Sequence, residues 1–162
     1  MPIRKSAGAI IFRKENSEVY PAKNKPIYYL LLEYPSSLRN DKKYWGFSKG
    51  TMEQGEKEID TTIREIKEEA GLGDLSFVEG FKETEKYFFK ENGQTIFKTV
   101  CYLLAETKTK EIKISHEHLG FAWLPYEEAM EKLTFKNAKE ILKKANEFLI
   151  VKISISPLTK SL

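Results

Sequence analysis

The sequence predicts a mixed α/β or α+β fold, in which one β-sheet is covered by helices on both sides. About six runs rich in β-branched and aromatic residues have the length of strands, and helical periodicity interrupts them at only two or three points. Elements in this order bury their apolar faces when a mixed sheet lies between helices. The length of 162 residues and the apolar content of 41% suit a soluble, folded domain of this kind.

The strands are predicted from residue composition and from the turns that separate them. The runs of strand length are residues 7–12, 27–34, 75–81, 87–89, 95–105 and 120–124. Between the fourth and fifth runs, Asn92-Gly93 supplies the positive φ that a tight hairpin turn needs. We therefore expect these two runs to form a β-hairpin.

Three helices are predicted, and the first, over residues 58–70, has the clearest pattern. Its apolar positions are spaced four, three and four residues apart, which predicts one buried stripe: Ile59, Ile63, Ile66 and Ala70. Gly71 is placed to end this helix as its C-terminal cap. The other two helices are expected over residues 127–133 and 136–149.

Residues 1–152 are predicted to form a single domain, because no repeat, low-complexity tract or Pro/Gly/Ser-rich linker divides them. Residues 153–162 form a C-terminal extension, for which an edge strand, an oligomer contact and a frayed end all agree with the sequence. Only Cys101 is present, so a disulfide framework is excluded.

Charge and hydropathy favour a cytoplasmic protein without membrane contact. No run approaches the length of a membrane span, and the N-terminus lacks the features of a signal peptide. The 27 basic and 24 acidic residues give a net charge of +3, which is too balanced for a polybasic surface. No obligate protein partner is indicated.

The first helix carries three carboxylates, Glu65, Glu68 and Glu69, which helical geometry places on one side, nearly opposite the apolar stripe. A solvated face would account for them, since most charged helix faces have no further role. However, like charges one turn apart destabilise a helix, and a divalent cation would reverse the sign of that effect. Oxygen ligands of this kind suit Mg²⁺ or Mn²⁺, completed by the phosphate oxygens of a substrate.

The same segment matches a known motif at every fixed position. The matching residues are Gly50, Glu56, Arg64-Glu65-Ile66, Glu68-Glu69 and Gly71-Leu72. Their spacing resembles the Nudix box, Gly-x5-Glu-x7-Arg-Glu-U-x-Glu-Glu-x-Gly-U, where U is aliphatic. The resemblance implies the Nudix fold and hydrolysis of a nucleoside diphosphate linked to another moiety, with a divalent metal that is usually Mg²⁺.

The resemblance also implies roles for individual residues. The implied metal ligands are Glu65, Glu68, Glu69 and the carbonyl of Gly50. Arg64 would orient a carboxylate, and Glu56 would support the loop rather than act in catalysis. Glu117, in the segment Ser115-His116-Glu117-His118, is a candidate for a further metal ligand or for the general base. Glu65 is the other candidate for the general base. Too few histidines and cysteines are present for a zinc site.

Segments outside the box are similar to the asymmetric diadenosine tetraphosphate hydrolases of animal and archaeal type. The similarity extends from about residue 5 to 150 and includes residues 6–12, 44–50, 79–82, 115–118 and 123–124. It implies a dinucleoside polyphosphate substrate, split into ATP and AMP. Lys49 and Lys98 are then expected to contact phosphates, and Tyr87 and Phe135 to stack on adenine rings.

Two alternative functions and three departures from the family pattern accompany this prediction. The first alternative is an enzyme that removes pyrophosphate from RNA 5′ ends, which would use the same helix. The second is a non-catalytic nucleotide sensor, although such a module would usually have lost a carboxylate of the box.

The departures are Ser48 and Gln54 where relatives usually have proline, and Thr51 where they usually have histidine or a large polar residue. Loss of the two prolines predicts a looser loop, with an effect chiefly on stability.

Overall fold

A computed structural model describes residues 1–15, 25–35 and 43–160 of the protein. The strands are β1 (Ile3–Lys14), β2 (Ile27–Tyr34), β3 (Tyr44–Gly46), β4 (Ser48–Thr51), β5 (Ser76–Phe77), β6 (Glu83–Glu91), β7 (Gln94–Glu106) and β8 (Gly120–Pro125). The helices are α1 (Glu58–Ala70), α2 (Tyr126–Lys132) and α3 (Lys136–Lys160).

The described strands form one mixed sheet, with the central order β3-β2-β1-β7-β5. β4 also pairs with β1, β6 with β7, and β8 with β2. Strands β1 and β7 run parallel, whereas the other pairs among the described strands are antiparallel. The predicted mixed sheet is therefore confirmed.

Both faces of the sheet are covered, because alternate residues of the central strand β1 point to opposite sides. Ile10 and Phe12 lie in a core with residues of α2 and α3. Ala9 and Ile11 lie in a second core, to which α1 contributes Ile66. The predicted arrangement of a sheet between helices, the Nudix fold, is confirmed.

The β6–β7 hairpin also agrees with its prediction. Asn92 and Gly93 have φ angles of 51° and 76°, and Glu91 pairs directly with Gln94. Two consecutive residues with positive φ are the requirement of a type I′ turn, whose twist matches that of the strands it joins. This turn fixes the register that later brings Tyr87 opposite Lys98.

The buried face of α1 differs from the predicted stripe. Ile66 and Ala70 are fully buried, as predicted. Ile59 and Ile63 are 40% and 46% exposed, so their prediction as core residues was wrong. The helix contacts β1 closely at Gly8, where Thr62 Oγ1 lies 3.4 Å from the backbone carbonyl oxygen. Because close approach favours small side chains, Thr61 and Thr62 occupy the inner face in place of the isoleucines.

Three element boundaries also differ from the predictions. The strand expected over residues 75–81 is reduced to β5, and Gly80, with a φ of 94°, turns the chain before β6. β3 and β4 were not predicted, because they are only three and four residues long and β4 contains Lys49 and Gly50, residue types that are depleted in strands. α3 continues to Lys160, so the C-terminal extension does not form an edge strand in the part of the chain described.

None of the described helices is both long enough and apolar enough to cross a membrane.

Candidate active site

The three acidic residues predicted to share one face of α1 differ strongly in burial. The Glu68 side chain is 60% exposed, whereas those of Glu65 and Glu69 are 16% and 6% exposed. The side of α1 that carries Glu65 and Glu69 packs against β4, so both carboxylates are directed at the strand. The alternative account, a solvated face without a further role, therefore does not describe Glu69.

Arg64 connects α1 to the segment that precedes it. Its Nε and Nη2 each donate to one oxygen of Glu56 at 2.9 Å, and Nη1 donates to Glu65 Oε1 at 2.8 Å. Nη2 also donates to the Thr51 carbonyl oxygen at 3.0 Å. The hydrogen bonds that Glu56 accepts from Arg64, and then from the Glu53 N–H, lower the pKa of Glu56 to about 2. Arg64 therefore holds the Glu65 carboxylate in one orientation, while Glu56 holds Arg64.

Gly50 lies directly against the Glu65 carboxylate. A Cβ atom at position 50 would overlap the Glu65 carboxyl group, so this approach requires glycine. Burial is the main cause that raises the pKa of Glu65, and Glu69 and Glu68 add to it, whereas the hydrogen bond from Arg64 opposes it. A carboxylate held in place with a raised pKa is suited to accept a proton.

The buried Glu69 joins α1 to β4 and to a distant loop. Its Oε1 accepts hydrogen bonds from Ser48 Oγ at 2.9 Å and from the Lys49 N–H at 3.0 Å. Its Oε2 lies 2.8 Å from Nε2 of the buried His118. Ser48 lies in strand β4, where it pairs with Ala9 of β1. The looser loop that the loss of proline predicts is therefore not present at this position.

The loop that carries Glu117 packs against the C-terminal end of α1. The N–H of Lys113 donates to the Ala70 carbonyl at 3.0 Å, and the N–H of Ser115 donates to the Glu69 carbonyl at 3.2 Å. Glu117 is exposed, and its own N–H donates to Ser115 Oγ at 3.3 Å. The structure thus places the loop of Glu117 beside the C-terminal end of the acidic helix.

Lys49 points to the face of the sheet opposite Gly50, because neighbouring residues of a strand alternate. On that face, Lys98 of β7 is the cross-strand partner of Tyr87 of β6, and Lys98 Nζ lies 6.0 Å from the Tyr87 ring centroid. Burial, followed by the positive charges of Lys49 and Arg4, lowers the pKa of Lys98 to about 8. The structure therefore brings three predicted substrate-binding residues together.

Phe135, the fourth predicted substrate-binding residue, lies just before α3 and is 53% exposed. Its ring centroid is 5.4 Å from that of Tyr44, which stacks on Tyr34 at 4.8 Å with 3° between the ring planes. The neighbouring Thr134 is bound to β3: the Trp45 N–H donates to Thr134 Oγ1 at 2.8 Å, and the Thr134 N–H donates to the Trp45 carbonyl at 3.3 Å. Phe135 is thereby held beside the other aromatic rings.

Sequence reasoning did not identify the contacts of Ser48, His118 and Tyr44. Alternation along residues 46–50 could have indicated that Ser48 and Gly50 share a face, but this segment was not predicted as a strand. The same omission concealed the pairing of Tyr44 with Tyr34 across β3 and β2. For His118 no sequence signal exists, since its neighbour Glu69 is far away along the chain.

The NUDIX domain family matches residues 2–145, which include every element from β1 to α2 and the beginning of α3. This chain belongs to the Nudix family. The protein is a Nudix hydrolase closely related to curated tetraphosphatases. It is 35% identical to the bis(5′-nucleosyl)-tetraphosphatase [asymmetrical] of Sus scrofa over 149 residues, which cover 90% of this chain and 95% of that one. The corresponding enzyme of Caenorhabditis elegans is 31% identical over 150 residues, covering 90% of this chain and 96% of the relative.

Solved structures support the same relationship. A C. elegans Ap4A hydrolase in a binary complex superposes with a TM-score of 0.72 and 30% identity, covering 90% of this chain and 97% of that one. The E. coli dihydroneopterin triphosphate pyrophosphohydrolase has a TM-score of 0.64 at 18% identity, covering 89% and 97%. The latter likeness concerns the fold alone.

Nudix hydrolases generally use divalent metal ions, and the oxygens around α1 fit such an ion. Among the residues that the structure describes, no three His, Cys, Asp or Glu side chains converge closely enough to enclose a cation by themselves. Mg²⁺ rarely needs such a cage, since it keeps several waters and binds through one or two carboxylates and substrate phosphates. The carboxylate oxygens of Glu65, which lies against Gly50, and of the exposed Glu68 suit this open coordination.

Proposed function

We propose that this protein hydrolyses dinucleoside polyphosphates, and that diadenosine tetraphosphate is cleaved to ATP and AMP. The observation that carries the proposal is the placement of strand β4, which presents Gly50 to the acidic helix and Lys49 to the opposite face with Lys98 and Tyr87. Acidic and basic groups thus lie on two sides of one short strand. The similarity over 90% of the chain to asymmetrical tetraphosphatases favours this substrate among those of Nudix hydrolases.

The substrate is proposed to lie along the basic and aromatic residues. Lys49 and Lys98 provide ammonium groups for the phosphate chain, and the negative charge of bound phosphate would raise the pKa of Lys98 again from its lowered value of about 8. Tyr87 and Phe135 provide faces on which adenine rings stack. Because stacking tolerates different bases, analogues that contain guanine are expected to be accepted as well.

The proposed ligands of Mg²⁺ or Mn²⁺ are Glu65, Glu68, Glu69, the Gly50 carbonyl and Glu117. When bound, such an ion neutralises nonbridging phosphate oxygens and lowers the pKa of water. The attacking water must lose a proton, and Glu65, fixed by Arg64 with a raised pKa, is the proposed acceptor. Glu117 is the competing candidate, because its loop packs against the end of α1.

Hydrolysis of diadenosine tetraphosphate in ¹⁸O-labelled water tests the reaction. Attack of water on one phosphorus breaks one P–O bond and leaves a single ¹⁸O on one of the two products. We expect ATP and AMP, with label in only one of them, and two molecules of ADP would contradict the proposal. Pyrophosphate release from a triphosphorylated oligonucleotide, without turnover of the dinucleotide, would instead favour action on RNA 5′ ends.

Substitution at Glu68 tests the metal assignment, because the Glu68 side chain is 60% exposed and lies outside the core. Glu68→Gln is expected to lower kcat by about a hundredfold or more with an unchanged circular dichroism spectrum. Glu131→Gln, at an exposed position of α2, serves as the matched control and should retain full activity. Near-normal turnover by Glu68→Gln, or full activity in excess chelator, would refute the assignment.

A further inference from the structure

Helix α1 and strand β4 face each other through two matched pairs of residues. Ser48 and Gly50 are on the same side of β4, about 6.6 Å apart along the strand. Glu69 and Glu65 are one turn apart on α1, about 6 Å along the helix axis. Because these spacings agree, Gly50 meets Glu65 while Ser48 donates a hydrogen bond to Glu69.

The two oxygens of the Glu69 carboxylate have different surroundings. Oε1 accepts hydrogen bonds from Ser48 Oγ and from the Lys49 N–H, which together use both of its lone pairs. Oε2 lies 2.8 Å from His118 Nε2, a contact that engages at most one of the two lone pairs of this oxygen. Oε2 therefore keeps a lone pair for a cation, whereas Oε1 keeps none.

We propose that Ser48 is a positioning residue whose hydroxyl fixes the Glu69 carboxylate so that Oε2 is presented to a divalent cation. The inference rests on the proposed function, because it takes Glu69 to be a metal ligand. A carboxylate held at Oε1 by the Lys49 N–H alone could rotate about its terminal bond, and the second donor prevents this rotation. Ser48 is 2% exposed, so water cannot readily replace its hydroxyl.

The family resemblance does not predict this contact. Proline, the residue expected at position 48, has no side-chain donor, whereas the serine hydroxyl reaches Glu69 Oε1 at 2.9 Å. The contact is therefore a property of this chain's own sequence, made possible by the register that places Ser48 opposite Ala9 in the sheet.

Binding of Mn²⁺ in the absence of nucleotide tests the proposal, with free Mn²⁺ measured by its electron paramagnetic resonance signal. Ser48→Ala is expected to weaken Mn²⁺ binding on the order of tenfold, the usual effect of removing a group that orients a ligand. Ser48→Thr, which keeps the hydroxyl, should restore it. Ser6→Ala is the matched control, because it removes a hydroxyl that is also 2% exposed but has no hydrogen-bond partner.

Glu69→Gln separates the failure of this inference from that of the proposed function. If Glu69→Gln weakens Mn²⁺ binding but Ser48→Ala does not, Ser48 has no positioning role. If Glu69→Gln itself binds Mn²⁺ normally, Glu69 is not a ligand, and the inference falls together with that part of the proposed function. Should Ser48→Ala fail to fold, Ser48→Cys, with a weaker donor of similar size, is expected to show the same loss of Mn²⁺ affinity.

Discussion

Replacement of Gly50 by alanine is expected to disable the site while leaving the fold in place. A Cβ atom there would overlap the carboxyl group of Glu65, and the backbone of β4 cannot retreat because it is paired with β1. The Glu65 side chain is flexible at its end, so it would swing aside. That movement breaks its 2.8 Å hydrogen bond with Arg64.

The size of the effect follows from this displacement. A hydrogen bond between charged groups contributes about 1.5–3 kcal/mol, and the reduced freedom of the unfolded chain offsets about 0.4–1 kcal/mol of its loss. We therefore expect a net loss of about 1–2 kcal/mol, which lowers Tm by about 2–8 °C for a protein of this size. Misplacement of a reacting group by about 1 Å costs on the order of a hundredfold in rate, so kcat/KM should fall by at least that factor.

Gly73→Ala provides the matched control, because a Cβ atom at that position would meet no heavy atom within 4 Å and Gly73 does not have a positive φ. Its activity and Tm should stay close to those of the unmodified protein. Both variants would be assayed for diadenosine tetraphosphate turnover and for thermal unfolding by circular dichroism.

A double-mutant cycle tests whether the effect passes through Glu65. In a Glu65→Ala background the clash is removed, so the added Gly50→Ala change should lower the rate by no more than about threefold. Near-normal activity of the single Gly50→Ala variant would refute the reasoning. So would full additivity of the two substitutions, because the damage would then arise elsewhere in β4.

Three further predictions follow from the surrounding residues. Arg64 lowers the pKa of Glu56 to about 2, so the ionised Glu56 contributes its full stabilisation above about pH 4.5 and loses it as the pH falls toward 2. In Glu56→Gln, the free energy of unfolding measured in urea should therefore change less with pH between these two values. Burial lowers the pKa of Lys98 to about 8, so kcat/KM should decline as the pH rises through 8, and an alkaline limb unmoved in Lys98→Arg would contradict a phosphate contact. Tyr87→Ala should weaken substrate binding by about 1–3 kcal/mol, whereas Tyr87→Phe should bind normally if the ring stacks on a base.

Local sequence patterns were sufficient to predict the hairpin, the family and the covered sheet. Asn92-Gly93 predicts the hairpin because positive φ at two adjacent positions is a property of those residues themselves. The spacing from Gly50 to Leu72 predicts family membership, which the match over residues 2–145 confirms. The order of strands and helices likewise predicts the covered mixed sheet, since each element must bury an apolar face.

The tertiary structure alone decided which face of α1 is buried. Helical spacing places Ile59, Ile63 and Glu69 at known angles, but it cannot show that α1 approaches the sheet closely at Gly8 and Gly50. That approach turns Glu69 inward and leaves both isoleucines largely exposed. The contacts of Glu69 join residues far apart along the chain. They depend on strand register and on the distance between helix and sheet, neither of which is encoded in the spacing of residues within one element.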